Sequence, residues 1–310
     1  MNVTRRSFLQ AVVAVAGVAA LEAVSSTSRK VYAIEDFAGH PDRFGMLTDT
    51  TMCVGCRACE RACNRANNLP PPEKRFADPS VFAAERKPSP EAWTVVNQYP
   101  SPVPGGNPIF RKVQCMHCEE PACVSSCLVG ALKKTPEGAV IYNESICIGC
   151  RYCMNACPFT LLSYTYDDAI RPAIRKCIMC YSKITKEGGV PACASACAVQ
   201  ATIFGKRSDL LQIAKTRINS NPTRYVNQIF GEHEAGGTGW LYLSAVPFEN
   251  IGFPTNLGKQ PYPEFTRDFL LGVPLVLIGW PALLMGISTL SKRRERLALE
   301  AAQNKDEEAK

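Results

Sequence analysis

The chain has 310 residues, 46% of them apolar and 20% charged, an ordinary balance for a folded protein. Its net charge of +7 gathers at the ends, where Arg5, Arg6, Arg29 and Lys30 face only Glu22, and where Lys292, Arg293, Arg294 and Arg296 crowd together. That distribution reads as targeting and membrane topology and makes no case for nucleic-acid binding.

Thr4-Arg5-Arg6-Ser7-Phe8-Leu9 precedes an apolar, small-residue run at 11–21. A charged stretch followed by an apolar one is the layout of an export signal. Paired arginines before Phe-Leu resemble the twin-arginine signal, a route that exports proteins already folded, often with cofactors inserted. Residues 1–33 are therefore expected to be a signal, with Val31-Tyr32-Ala33 a candidate cleavage site and Ala23 a second.

All 16 cysteines fall into four runs. The first is Cys53, Cys56, Cys59 and Cys63. Residues 64–114 follow as a long insertion, rich in proline, with a strand expected at 93–96; it reads either as a docking surface or as a cover over the core. The second run is Cys115, Cys118, Cys123 and Cys127. Residues 131–142 read as a hairpin turning at Thr135-Pro136-Glu137-Gly138. The third run, Cys147, Cys150, Cys153 and Cys157, repeats the spacing of the first and is followed by Pro158. The fourth is Cys177, Cys180, Cys193 and Cys197. Its Val-Pro-Ala-Cys answers Glu-Pro-Ala-Cys of the second run, so the pattern is an internal repeat.

Residues 209–218 are expected to be helical. Residues 219–267 are rich in Gly, Pro and aromatics without clear period, and read as an extended arm that packs on partners. The 22 residues 269–290 carry no charge, and roughly 20 apolar residues span a bilayer. Pro274 and Pro281 are tolerated in such a span. The cations at 292–296 then belong in the cytoplasm, which places the cysteine-rich part on the exported side.

The cysteine spacing points to iron–sulfur chemistry. Thiolate is a soft ligand suited to clusters. A loop of Cys-x2-Cys-x2-Cys wraps three sulfurs around one face of a cubane, and a fourth cysteine three residues on can reach a second cluster. Gly55 and Gly149 occupy matching places in the loops, where a missing side chain lets backbone N–H groups approach. Zinc prefers two separated pairs, which suits the fourth run alone. Covalent haem needs histidine after the second cysteine, and His117 precedes it. Arg57, Arg151, Arg175 and Lys176 lie within or beside the loops and are candidates for raising cluster potentials.

With these motifs the sequence resembles the four-cluster ferredoxin-type iron–sulfur subunits of the dimethyl-sulfoxide-reductase and formate-dehydrogenase class. Its export signal and C-terminal helix resemble the branch accompanying hydrogenase-2 and the high-molecular-weight cytochrome complex. Phe44-Gly45-Met46-Leu47, Trp93-Thr94-Val95-Val96 and 239–244 add to the likeness. The resemblance implies four [4Fe–4S] clusters. It pairs Cys115, Cys118 and Cys123 with Cys157, and Cys147, Cys150 and Cys153 with Cys127. It likewise pairs Cys53, Cys56 and Cys59 with Cys197, and Cys177, Cys180 and Cys193 with Cys63.

The fold expected is α+β: a duplicated two-cluster ferredoxin-like domain at 34–218, the arm at 219–267, a transmembrane helix at 268–290 and a cytoplasmic tail at 291–310. The function expected is non-catalytic electron relay within a respiratory complex of the inner membrane. It would connect a periplasmic hydrogenase, dehydrogenase or multihaem cytochrome with an integral membrane subunit that exchanges electrons with quinone. The alternative is a zinc-stabilised scaffold tethering an exported enzyme.

Overall fold

The computed structural model describes residues 40–101, 104–168 and 172–308, with side chains as far as 303. The expected export segment lies outside the described residues. The fold below belongs to the unit Pro41–Lys310.

Each cysteine run lies between two short strands. Strand β1 (Phe44–Asp49) leads into the first run and its helix α1 (Ala58–Ala66). Strands β2 (Val95–Tyr99) and β3 (Ile109–Val113) form an antiparallel hairpin that leads into the second run and α2 (Ala122–Ser125). The next hairpin, β4 (Leu132–Lys134) with β5 (Val140–Tyr142), precedes the third run and α3 (Tyr152–Ala156). The hairpin β6 (Ser163–Tyr164) with β7 (Ile174–Arg175) precedes the fourth run, with α4 (Tyr181–Glu187) and α5 (Ala192–Ser195). Strand β8 (Thr202–Lys206) then returns to pair antiparallel with β1, Met46 opposite Phe204, so the last repeat closes onto the first. Helix α1 packs on α5, and α2 packs on α3.

Strand β1 is central in a three-stranded sheet, with β9 (Trp240–Leu243) parallel on its other side. Alternation divides its two faces. Leu47, Leu241 and Leu243 face α6 (Arg207–Ser220), whose Leu210, Ala214 and Ile218 recur at helical spacing and are buried against them. Each such side chain contributes about 1.5–3 kcal/mol by leaving water. Met46, Trp240 and Tyr242 face the opposite way, into a core shared with Phe230, Phe248, Phe253 and the sulfurs of Cys115, Cys177 and Cys193.

The structure bears on three sequence expectations and differs from two of them. The strand expected at 93–96 is Val95–Tyr99. The insertion covers the first run: Arg57 donates to the carbonyls of Arg75 and Phe76, and the N–H of Val96 donates to Glu60 at 2.6 Å. The stretch expected as an extended arm folds onto this chain's own core instead. It supplies β9 and buries Phe230, Val246, Phe248, Ile251, Phe253 and Leu257. Aromatic residues without period gave no helix or strand signal, yet together they fill one side of a sheet.

Helix α7 (Glu264–Glu308) runs through Pro274 and Pro281. Its apolar stretch has a mean hydropathy of 2.1 and none of it is buried. The basic residues at 292–296 continue the same helix.

Candidate iron–sulfur centres

The third residue of every run adopts left-handed backbone: Gly55, His117, Gly149 and Met179, with φ of 68°, 49°, 69° and 58°. That reversal turns N–H groups inward. The N–H of Gly149 points to Cys147 Sγ at 3.5 Å, and that of Met179 to Cys177 Sγ at 3.3 Å. A left-handed residue with a Cβ costs about 1–2 kcal/mol, a strain that persists where the surroundings demand it. Gly130, Thr160 and Gln200 repeat the conformation three residues after Cys127, Cys157 and Cys197, each donating its N–H to that cysteine's carbonyl. Ala131 N–H adds a bond to Cys127 Sγ at 3.1 Å.

The sulfurs gather across runs. Burial pushes Cys53 up to about 11, against the Gly55 N–H, with Cys197 and Cys56 adding to the rise. Cys59 is driven to about 12 by burial, with Cys193 and Cys53 as neighbouring sulfurs. Burial holds Cys63 well above the usual thiol range, and Cys177, Cys193 and Cys180 surround it. Those four line a pocket together with Trp93, Lys112 and Trp240. Burial likewise raises Cys118, whose neighbours are Cys157, Cys123 and Cys115. Cys153 is raised to about 11 by burial, then by Cys127, Cys147 and Cys150. That last quartet lines a second pocket.

All sixteen thiols are free of disulfide partners. Among the described residues no three His, Cys, Asp or Glu side chains are arranged to hold a single metal ion. A soft donor set of four sulfurs lining a cavity, with N–H groups aimed at the sulfurs, fits a polynuclear cluster: iron offsets the burial of the thiolates, and the N–H donors offset their charge.

The cations foreseen beside the loops divide. Arg57 is buried and paired with Glu60 at 2.9 Å. Arg175 pairs with Glu144 at 2.8 Å. Arg151 is exposed and lies over Tyr164 and Tyr166. Lys176 is buried and donates to the carbonyls of Val140 and Cys177. Sequence reasoning missed Lys112, which lies near Cys193, Cys59 and Cys177. Its place in a strand before the second run reads as an ordinary polar position. His117 is fully buried, its Nδ1 accepting from Val140 N–H at 2.9 Å.

Four cysteine runs carried on repeated strand–loop–helix units define a ferredoxin-type iron–sulfur protein. A family model described as a 4Fe-4S dicluster domain matches residues 107–207, which hold the second, third and fourth runs. The chain is 45% identical over 296 residues to a protein of Nitratidesulfovibrio vulgaris strain Hildenborough, covering 96% of this chain and 79% of that one. It is 35% identical over 281 residues to the hydrogenase-2 operon protein HybA of Escherichia coli O157:H7, covering 81% and 83%. It is 29% identical over 201 residues to the nitrate-inducible formate dehydrogenase iron–sulfur subunit of Escherichia coli K12, covering 64% and 66%. The chain belongs to this family of iron–sulfur electron-transfer subunits, and its role is electron transfer rather than catalysis. The zinc scaffold is not favoured.

Proposed function

We propose that the chain relays single electrons through four [4Fe–4S] clusters within a membrane-bound respiratory complex. Cys53, Cys56, Cys59 and Cys197 would hold one cluster. Cys63, Cys177, Cys180 and Cys193 would hold the next, Cys115, Cys118, Cys123 and Cys157 the third, and Cys127, Cys147, Cys150 and Cys153 the fourth. When bound, the clusters supply reversible one-electron chemistry. The duplicated two-cluster arrangement is supported by the repeated backbone turns and by the packing of α1 on α5 and α2 on α3.

The observation that carries the reading is the neighbour relation between quartets. Cys59 neighbours Cys193, Cys177 neighbours Cys115, and Cys123 neighbours Cys153, which supports one ordered series of four quartets. The ends of that series open to the surface. Cys56 is exposed at one end, as is Val54 in its loop, and Cys150 is exposed at the other, as are Ile148 and Tyr152 in its loop. Cys63, Cys115, Cys123, Cys177 and Cys193, in the middle, are buried.

Helix α7 would anchor the chain in the inner membrane with the residues at 292–296 in the cytoplasm. The cysteine-bearing fold would then lie on the periplasmic side, exported by the twin-arginine route. One end of the series would meet a hydrogenase, dehydrogenase or multihaem cytochrome. The other would meet an integral membrane subunit that exchanges electrons with quinone.

The test is metal analysis of the full chain purified anaerobically in detergent. About sixteen irons with matching acid-labile sulfide per chain are expected from four cubanes. Zinc without visible absorbance would overturn the reading. Subunits that co-purify in mild detergent identify the partners.

A further inference from the structure

Lys112 is one of the largest side chains in the protein to be fully buried. Its ammonium donates to Gln114 Oε1 at 2.9 Å and lies 4.3 Å from the ring centroid of Trp240. Gln114 Nε2 donates to Tyr242 Oη at 2.5 Å, and Tyr242 Oη donates to the Lys112 carbonyl at 2.8 Å. This closed circuit of hydrogen bonds fixes the ammonium in place. Among the described residues no carboxylate pairs with it, although Lys134, Arg57, Arg86 and Arg217 all have one.

A buried ammonium without an anion is costly. The groups close enough to supply a negative charge are sulfurs: Lys112 lines the cavity of Cys63, Cys177, Cys180 and Cys193, and Cys59 of the neighbouring quartet lies nearby. Protonated thiols carry no charge to offset it, whereas thiolates bound to iron do.

We propose that Lys112 is the fixed counter-cation shared by the quartets Cys53/56/59/197 and Cys63/177/180/193, and that its charge raises the reduction potential of a cluster held there. The inference rests on the cluster reading above. Each added electron makes a thiolate-ligated cluster more negative, so a fixed cation favours the reduced state over the oxidised one. In a water-poor interior that preference is weakly screened. Lys112 is thus a positioning and tuning residue that ligates nothing.

The experiment is a potentiometric titration of the full chain in detergent, followed by electron paramagnetic resonance, with iron and sulfide measured on each sample. Lys112→Met should leave iron content unchanged and move at least one midpoint to more negative potential. Full iron content with every midpoint at its wild-type value in Lys112→Met overturns the proposal. If Lys112→Met loads incompletely, Lys112→Arg decides. Restored loading with wild-type midpoints supports a charge role; failure of the arginine variant as well means the site needs the lysine's shape, and the proposal falls. Wild-type protein holding zinc removes the cluster reading itself, an outcome distinct from an unshifted midpoint.

Discussion

The ammonium of Lys112 stands 4.3 Å from the ring centroid of Trp240, although the two residues lie on strands of different sheets. Strand β9 brings Trp240 there by pairing with β1, and Tyr242 on the same face reaches the Lys112 carbonyl. The stretch after α6 therefore bears on the cysteine quartets, and variants in and around them have separable outcomes.

Cys197 and Cys53 lie in different runs but neighbour each other. Cys197→Ser and Cys53→Ser should therefore perturb the same cluster, and Cys193→Ser a different one. Paramagnetic resonance of each variant during a redox titration checks this. Matching signals for Cys197→Ser and Cys193→Ser would refute the quartet assignment.

Gly55 has φ of 68°, and a Cβ there would strike the Phe110 ring. Gly149 has nearly the same conformation, but its Cβ would meet Tyr164 Oη at 3.0 Å and Pro172 Cγ at 3.4 Å, looser contacts than at Gly55. Both alanine variants carry left-handed strain of about 1–2 kcal/mol. Gly55→Ala should lose iron, Gly149→Ala should lose less, and Phe110→Ala should partly restore Gly55→Ala. Iron per chain is the readout.

Glu60 is buried and accepts from Arg57 at 2.9 Å, Arg86 at 2.7 Å and the Val96 N–H at 2.6 Å. Glu60→Gln leaves two guanidinium groups without their anion. Breaking such a buried pair costs about 3–5 kcal/mol. Anaerobic thermal unfolding should show a midpoint lower by about 5–10 °C. Glu144→Gln, whose ion pair with Arg175 is half exposed, should change it by less than about 2 °C.

Helix α7 buries none of its apolar stretch. A chain ended after residue 263 should stay in solution without detergent and keep its iron, because the quartets and the sheet lie before that point. Phase partitioning in a cloud-point detergent separates the two forms. Equal partitioning of full-length and shortened chains would argue against a membrane anchor.

Much of the site was legible because its signals are local. Three cysteines two residues apart can only sit on one tight loop, and Gly55 and Gly149 mark the left-handed turn such a loop needs. The same turn at His117 and Met179 was not legible, since neither residue advertises a positive φ. The hairpin at 131–142 and the helix at 209–218 followed from turn chemistry and period, and the first β-strand of the insertion was misplaced by two residues because its proline-rich flank blurs the start.

By itself, the amino-acid sequence determined the kind of chemistry, the number of sulfur donors, the charged ends and a long apolar C-terminal helix. These depend on residue type and on neighbours within a few positions. The pairing of sulfurs across runs came from the sequence only as what a resemblance implies; tertiary structure alone decided that 219–257 closes the core rather than reaching outward, and that Lys112 points among sulfurs while Arg57 is neutralised by Glu60. Those outcomes depend on what packs across the sheet from residues far along the chain, where burial, not spacing, sets the energy.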